Sequence, residues 1–391
     1  MSFFHLIANV WHFFYIFAAS KHETMYFDHL TNEALELLKA LIATPRTSRN
    51  EAEAATIFAH FIEEKGFTPQ REANNIWALA PDFDEKKPTL LLCAHLDTVK
   101  AVNGWKRDPL TPTLEGDRLY GLGSNDDGAS LVCLTQAFCH IAPRARTYNL
   151  LLLASAEEEV SGHDGVERML PLLPHIDVAL VGEPTGMQPA IAEKGLMVLD
   201  VTAHGRAGHA AREEGDNALY HAIDDINWIR HHQFPRVSPL LGPVKMTATI
   251  INAGTQHNVV PDTCTFTVDV RSNECYTNQE IFQAVSAALQ SEVRARSFRL
   301  CSSRIAPDHP LLQRVLSLGP TNNGEGRRPY GSPTLSDQAL MTCPSMKMGP
   351  GDSARSHTAD EFICIPEIHA AIQDYIMILD GLQLARSVKD C

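Results

Sequence analysis

The chain has 391 residues and a formal net charge of −14, with 44% hydrophobic and 20% charged residues. This composition is typical of a globular protein, and the length favours two domains over one. The acidic balance argues against nucleic acid or an anionic membrane as the main partner. Nine cysteines without a Cys-x-x-Cys pair fit a reducing cytoplasm better than a disulfide framework. We therefore expect a cytoplasmic protein.

Residues 1–24 form an apolar, aromatic extension before the first clear helix. His5, Asn9 and His12 interrupt it, and no basic segment precedes it. It is therefore at the short end for a membrane span and a poor signal peptide. We interpret it as an over-extended start, with the working chain beginning near Met25. The alternative is an anchor or export signal, and membrane association is expected only if this extension is retained.

Helical and strand patterns alternate over the first half of the chain. The predicted helices are Leu30–Ala43, a helix that a Ser48-x-x-Glu51 capping box opens and Gly66 closes, Gly128–His140 and Gly165–Leu173. The predicted strands are Asn75–Ala80, Thr89–Ala94, Asn149–Ala154 and Val178–Gly182. This alternation predicts an α/β domain with a mixed, mostly parallel sheet covered by helices.

After Gly195 the order changes to strand, helix, strand, strand, helix, strand, which is the ferredoxin-like pattern. The predicted elements are Leu196–Ala203, Asn217–His231, Val244–Ile251, Cys264–Arg271, Asn278–Glu292 and Phe298–Ser303. The sequence therefore predicts a catalytic domain of residues 25–195 and 305–391, ending in a helix over Pro366–Leu384. An α+β domain of residues 196–304 is inserted in it.

Histidines and carboxylates follow several of the predicted strands. In His95-x-Asp97, the two-residue period of a strand sends both side chains to one side. The carboxyl ends of parallel strands are where ligands collect, and imidazole beside carboxylate suits a divalent metal. The other segments of this kind contain Asp126, the run Glu157–Glu159, Glu183, and the stretch from Gly349 to Glu361 with His357. Taken singly, each segment also fits a solvated cap or loop.

In this order and spacing, the five segments resemble the clan MH family of di-zinc exopeptidases and deacylases, from about Leu30 to the C-terminus. The family includes acetylornithine deacetylase and succinyl-diaminopimelate desuccinylase. The resemblance implies a zinc exopeptidase-like catalytic domain, an inserted lid and dimerisation domain, and two Zn²⁺ ions, which Co²⁺ or Mn²⁺ could replace. It assigns the ligands by motif: His95, Asp126 and Glu183 to one ion, and Asp126, Glu159 and His357 to the other.

The same resemblance assigns the catalytic roles. Glu158 is the general base on the water between the metal ions, and Asp97 orients His95. Alignment alone distinguishes the members of the glutamate run. His209, in a Gly-rich segment of the inserted domain, reaches the active site of the partner subunit, which requires a homodimer formed through that domain. Without the resemblance, His209 would be interpreted as an exposed loop histidine.

Substrate binding is also assigned by resemblance. Arg271 and Asn258 contact the substrate carboxylate, since an arginine fork matches a carboxylate bidentately. The backbone N–H groups of Gly349 and Gly351 lie nearby in this interpretation. A surface Arg271 at a strand end is the alternative.

The chain also departs from the family pattern at the segment that carries the bridging aspartate. The usual Gly-Arg-Gly before it is Gly121-Leu122-Gly123, and a common lysine after it is absent, because Asp127 is followed by Gly128. Glu183 at its position resembles the deacylase and carboxypeptidase branches more than the aminopeptidases.

We predict a zinc amidohydrolase that removes an N-acetyl or N-succinyl group from an amino acid. The acetylornithine deacetylase type of arginine biosynthesis is the best single interpretation, and the substrate is then a small N-acyl amino acid. One alternative is a dipeptidase or carboxypeptidase on the same scaffold. An alternative from another class is a non-catalytic regulator that binds metal or amino acid.

Overall fold

The computed structural model describes residues 25–321, 324 and 326–386. The predicted N-terminal extension of residues 1–24 lies outside this part of the chain. Two compact units are present. Of the described residues, the first unit contains those within 25–189, 307–328 and 347–386, and the second those within 190–306 and 329–346. Among the described residues, no helix combines the length and apolar character needed to cross a bilayer.

A mixed sheet forms the centre of the first unit. Its strands lie in the order Gln70–Glu72, Asn75–Leu79, Asn149–Ser155, Thr89–His95 and Val178–Val181. The last three pair in parallel and the first two are antiparallel additions. Every residue of Thr89–His95 is buried, as expected for an apolar strand covered on both faces. The predicted α/β fold with a mostly parallel sheet is confirmed.

Helices cover this sheet, and a small three-stranded sheet lies apart from it. The α-helices of the first unit are residues 25–43, Ala52–Glu64, Ala129–Ile141, Val166–Met169, Pro310–Ser317 and Ile365–Leu379. Short helical turns cover Ser124–Gly128, Glu158–Val160 and Ser353–Arg355. The small sheet consists of Thr113–Glu115, Arg118–Tyr120 and Phe362–Cys364. A further strand, Ser345–Lys347, crosses the boundary between the two units along the chain.

The predicted capping box before the helix Ala52–Glu64 is wrong. Glu51 occupies the N-cap without a side-chain cap. Its carboxylate instead accepts the backbone N–H groups of Arg49, at 2.7 Å, and Glu157, at 3.2 Å. Ser48 is not at the cap, because its hydroxyl donates to Asp97 at 2.6 Å. A contact with a residue distant in sequence has replaced the local one.

The second unit contains a four-stranded antiparallel sheet in the order Lys245–Ala253, Thr263–Ser272, Gly195–His204, Glu292–Ala295. The helices Ala218–His231 and Asn278–Ala288 supply the two helical elements of the ferredoxin-like order. Buried and half-buried residues alternate along Gly195–His204, and the buried set forms one apolar core with both helices.

The fourth strand of this sheet differs from the prediction. It is Glu292–Ala295 and not Phe298–Ser303, and the preceding helix ends at Ala288. The buried carboxylate of Asp225 accepts the backbone N–H groups of residues 290 and 291, both at 3.1 Å. These bonds hold the backbone in a non-helical path, so the strand begins earlier than the residue pattern indicates.

The second unit also includes chain that the sequence assigned to the first domain. The strand Ala190–Glu193 pairs in parallel with Tyr330–Ser332 and antiparallel with Ser303–Arg304. Residues 329–346, including the turn Asp337–Leu340, therefore lie in the second unit. A two-stranded ladder joins Gly208–His209 to Val259–Val260.

Candidate metal centre

His95 ends the central strand and is almost fully buried, at 2% exposure. Its Nδ1 donates to the backbone carbonyl of Asp97 at 2.9 Å. A hydrogen bond of this kind fixes the ring orientation and leaves Nε2 without a proton in the neutral ring, as a metal ligand requires. Nε2 lies 3.2 Å from Oδ1 of Asp126.

Asp126 lies between two imidazoles. Its Oδ1 faces His95, and its Oδ2 lies 3.7 Å from Nε2 of His357. The same nitrogen of His357 is 2.9 Å from Oε2 of Glu159. Donor atoms of His95, Asp126 and Glu159 all lie within 4.8 Å of one another. Asp126 thus directs one carboxylate oxygen toward His95 and the other toward His357. A carboxylate that bridges two metal ions has the same arrangement.

Glu158, Glu159 and Glu183 approach this centre, whereas Glu157 does not. Oε2 of Glu158 lies 4.0 Å from Nε2 of His95, and donor atoms of Glu158, Glu183 and His95 lie within 4.8 Å of one another. Glu157 adopts a left-handed backbone conformation with φ +57°. Its carboxylate lies 3.7 Å from Nε of Arg49. The three adjacent glutamates, equivalent in sequence, therefore have different environments.

The carboxylate of Asp97 holds the glutamate turn. It accepts the backbone N–H groups of Glu158, at 3.0 Å, and Glu159, at 3.2 Å. It also accepts the Ser48 hydroxyl, whereas its distance to Nδ1 of His95 is 3.6 Å. The sequence interpretation had the Asp97 carboxylate orient His95. In the structure its backbone carbonyl makes that contact, and the carboxylate positions the glutamates.

A buried glutamate that the sequence interpretation gave no role supports the turn carrying Asp126. Oε1 of Glu361 accepts the backbone N–H groups of Asn125 and Asp126, and Oε2 accepts that of Gly123, each at 2.9 Å. Glu361 is 2% exposed. Burial raises its pKa to about 7 despite these three donors. The only sequence signal was its position four residues after His357.

The two glycines predicted to bind substrate are required by packing. Gly351 has φ +84°, and a Cβ there would lie 2.2 Å from Oδ1 of Asn125. A Cβ at Gly349 would lie 2.4 Å from Oγ of Ser130. The N–H of Gly349 donates to Oγ1 of Thr185 at 3.1 Å. The expectation that this N–H binds substrate is not supported, because it already has an acceptor.

Negative charge dominates the electrostatics of the centre. Burial alone would lower the pKa of His95, but Asp126 and Asp97 raise it well above its usual value. Burial raises the pKa of Glu183 well above its usual value, and Asp126 adds to this effect against the opposing charge of Lys347. Burial opposes ionisation of Asp126, but His95 holds its pKa below normal. Added cations would relieve the repulsion among these carboxylates.

The remaining predicted site residues lie in the second unit. His209 and Asn258 are exposed neighbours there, because the N–H of Ala210 donates to the carbonyl of Asn258 at 3.0 Å. Nδ1 of His209 accepts the N–H of residue 211 at 3.1 Å. Arg271 is half-buried and donates to both oxygens of Asp269 on its own strand, at 2.9 and 3.2 Å. The structure thus brings His209 and Asn258 together, and it pairs Arg271 within the chain.

A family model described as peptidase family M20/M25/M40 matches residues 91–380. The chain belongs to this family. It is therefore a metal-dependent hydrolase, and the predicted clan MH resemblance is confirmed.

Curated relatives and solved structures of similar fold extend over most of the chain. The acetylornithine deacetylase of Proteus mirabilis is 26% identical over 91% of this chain and 98% of its own length. That of Pectobacterium carotovorum is 29% identical over 84% and 92%. Among solved structures, the M20 family metallo-carboxypeptidase Sso-CP2 of Sulfolobus solfataricus has a TM-score of 0.69 at 17% identity, over 89% of this chain and 98% of its own. The YXEP protein of Bacillus subtilis, a dinuclear metal-binding peptidase of the M20 family, has a TM-score of 0.67 at 14% identity, over 91% and 99%.

The donor set of this M20 chain fits a divalent metal. It combines imidazole nitrogens with carboxylate oxygens, a set suited to zinc and other borderline cations. The Asp126 carboxylate lies between two imidazoles, as a carboxylate that bridges two ions would.

Proposed function

We propose that this M20 hydrolase removes an N-acyl group from an amino acid and that N-acetylornithine is its best substrate. The observation that carries the chemistry is the Asp126 carboxylate between His95 and His357, with Glu158 beside them. The substrate class is supported by curated acetylornithine deacetylases that are 26% and 29% identical over nearly their whole length. A place in arginine biosynthesis and a cytoplasmic location follow if this substrate is correct.

We propose two zinc ions as the native metal. His95, Asp126 and Glu183 would hold one ion, and Asp126, Glu159 and His357 the other. When bound, paired zinc ions polarise a carbonyl oxygen and lower the pKa of water toward about 7. Cobalt or manganese could occupy the same ligands.

Glu158 is the general base in this proposal. It takes a proton from the attacking water and returns it to the nitrogen of the departing amino acid, so one carboxylate serves both steps. Its backbone N–H is bonded to Asp97, and this bond holds the base at a fixed position beside the ligands. The water attacks the acyl carbon, the C–N bond breaks, and the products are a carboxylate and a free amine.

The proposed roles of the second unit concern charge. His209 would donate to the oxygen that becomes negative during attack, as an oxyanion-hole group does. Arg271 would bind the substrate carboxylate together with Asn258. Asp269 accepts from Nε and Nη2 of Arg271. A guanidinium carries five N–H groups, so the substrate carboxylate would bind to those of Nη1 and Nη2 that Asp269 does not use.

A homodimer formed through the second unit is part of the proposal. Lys245–Ala253 is an edge strand of the four-stranded sheet. Ile250 and Ile251 on this strand are 54% and 48% exposed. An exposed apolar edge strand can pair with a second copy of itself. Ile250→Glu should convert a dimer into a monomer in analytical ultracentrifugation. An unchanged sedimentation coefficient would show that this strand is not the interface.

A side-by-side assay tests the substrate. The zinc-loaded protein should be given N-acetylornithine, N-acetylcitrulline, the N-succinyl analogues and simple dipeptides under one set of conditions. We expect the highest kcat/KM for N-acetylornithine. Turnover of dipeptides alone would exclude the deacylase proposal in favour of a dipeptidase. If no compound is turned over while two zinc ions stay bound, the protein would be a non-catalytic metal-binding relative.

A further inference from the structure

A buried arginine joins two of the backbone segments that carry the proposed ligands. Arg46 is 2% exposed. Its Nη1 donates to the carbonyl of Leu96, the residue between His95 and Asp97. Its Nη2 donates at 2.8 Å to the carbonyl of Gly123, at the start of the turn that presents Asp126. One planar guanidinium therefore contacts both segments, using a different nitrogen for each.

The backbone around Arg46 adds to this link. The carbonyl of Arg46 accepts the N–H of Thr98 at 2.9 Å, and the N–H of Ser48 donates to the carbonyl of Thr98 at 3.3 Å. The segment that carries Arg46 thus runs beside the end of the central strand. Its main chain holds one ligand segment while its side chain contacts both.

Glycine at position 123 provides the space for the guanidinium, because a Cβ there would lie 2.4 Å from Nη2 of Arg46. A Cβ at Gly128 would lie 3.1 Å from the same nitrogen and closer, at 2.4 Å, to the carbonyl oxygen of Gly123 that Arg46 contacts. Gly128 has φ −56° and ψ −38°, so its backbone does not call for glycine. The positive group beside Gly128 is the guanidinium of Arg46.

The surroundings of Arg46 are acidic. The charges of Glu361, Asp97, Asp127 and Asp126 all act on its guanidinium. Arginine suits this position because its guanidinium presents several donors in a rigid plane and stays charged when buried. If the side chain became apolar, the Leu96 carbonyl would lose the Arg46 donor, and the Gly123 carbonyl would keep only the N–H of Gly128, at 3.1 Å.

We propose that Arg46 is a positioning residue of the metal centre. Its two-sided contact fixes the distance between the strand end at His95 and the turn at Asp126, so these side chains face each other before a metal ion arrives. The inference rests on the ligand roles proposed for His95 and Asp126. Groups behind metal ligands typically change metal affinity about 10- to 100-fold when they are removed.

The sign of the effect separates positioning from charge alone. With Arg46 replaced by methionine, the two segments can relax in the metal-free protein and must be forced back when metal binds. Zinc affinity then falls. If the guanidinium acted only through its positive charge, its removal would lessen repulsion of the incoming cation, and zinc affinity would rise.

The test measures zinc affinity by competition with a chromophoric chelator for the full chain and four variants. We expect Arg46→Met to weaken zinc binding about 10- to 100-fold. Arg46→Lys should stay close to Arg46→Met, because a single ammonium does not reproduce the planar fork. Asp126→Ala reports on the ligand role itself, so retained binding of both ions there would overturn the proposed function and not only this inference.

Arg146→Met is the matched control. Arg146 is also buried, with 4% side-chain exposure, and donates to the backbone carbonyls of Ile141 and Arg144 at 3.0 and 2.7 Å. It lies beyond the end of a helix and contacts no proposed ligand segment. We expect Arg146→Met to lower Tm equally with and without zinc, and Arg46→Met to lower it more with zinc. Unchanged or tighter zinc binding by Arg46→Met, or full recovery by Arg46→Lys, would overturn the inference.

Discussion

Replacement of the three adjacent glutamates one at a time provides a sharp test of the centre. Glu158→Gln keeps the size of the side chain and removes its ability to accept a proton. Oε2 of Glu158 is 4.0 Å from His95, farther than the 3.2 Å of Asp126. We therefore expect both metal ions to remain while kcat falls about 10²- to 10⁴-fold, the usual contribution of a general base. This loss equals about 2.7–5.4 kcal/mol of activation free energy.

The neighbours of Glu158 should respond differently. Glu159→Gln removes an oxygen 2.9 Å from Nε2 of His357, so we expect zinc content to fall from two ions per chain toward one. Glu157→Gln is the control. The carboxylate of Glu157 lies 3.7 Å from Nε of Arg49 and belongs to neither group of potential metal donors that includes His95. Its kcat and zinc content should stay near those of the unmodified chain.

The assay combines initial rates with N-acetylornithine at saturating zinc and metal analysis of the same samples. The reasoning would be refuted if Glu158→Gln lost a metal ion. It would also be refuted if Glu157→Gln lost as much activity as Glu158→Gln. Either result would mean that the environments of these side chains do not determine their roles.

Three further predictions concern protons, packing and subunits. Burial favours the neutral ring of His95, but the neighbouring carboxylates raise its pKa above the usual value. The protonated ring therefore stabilises the metal-free fold, and this contribution is lost as the pH rises through the raised pKa. Zinc must displace that proton, so zinc affinity should rise with pH, by up to about tenfold per pH unit for each proton released. Calorimetry at pH 7 that detected no proton release on zinc binding would contradict this prediction. Gly351→Ala should lower the unfolding free energy in urea by about 2–4 kcal/mol, from left-handed strain plus a steric clash. Gly66 has the same φ of +84° and open space around it, so Gly66→Ala should cost only about 1–2 kcal/mol. Equal losses in the two variants would show that the close contact at Gly351 has no energetic effect. If His209 acts in the partner subunit's site, a dimer of one Glu158→Gln and one His209→Ala chain has one working site out of two. Since random exchange in an equal mixture makes about half of the dimers mixed, the mixture should regain about a quarter of normal activity. No recovery after verified subunit exchange would show that His209 does not act in trans.

The parts of the fold that follow from local pattern could be predicted from the sequence. The apolar run from Leu90 to Cys93 lies in a strand buried throughout, Thr89–His95. The alternation along Gly195–His204 indicated a strand with one buried face, and the structure has one. Both predictions needed only the spacing of apolar residues, because burial of one or both faces determines which side chains a strand can carry.

The errors arose where contacts distant in sequence override local pattern. Ser48 has the residue type of a helix cap, but its hydroxyl is bonded to Asp97. The helix expected to reach Glu292 stops at Ala288, where Asp225 from another helix binds the following backbone. The spacing of residues near these positions contains no sign of either partner.

The same limit applies to the candidate site. The sequence singled out the proposed ligands by type and order but could not distinguish Glu157 from Glu158, because the left-handed turn at Glu157 decides which way each carboxylate faces. Arg46 and Glu361 were missed as supporting groups. They contact backbone atoms of segments dozens or hundreds of residues away, and backbone contacts leave no residue pattern.

The most direct test of the paired metal centre is anomalous diffraction at the zinc absorption edge from crystals of the zinc-loaded protein. We expect two peaks about 3.5–4 Å apart, one at each oxygen of Asp126, with His95 beside one and His357 beside the other. A single peak, or peaks that do not contact Asp126, would contradict the centre on which the proposed hydrolysis depends.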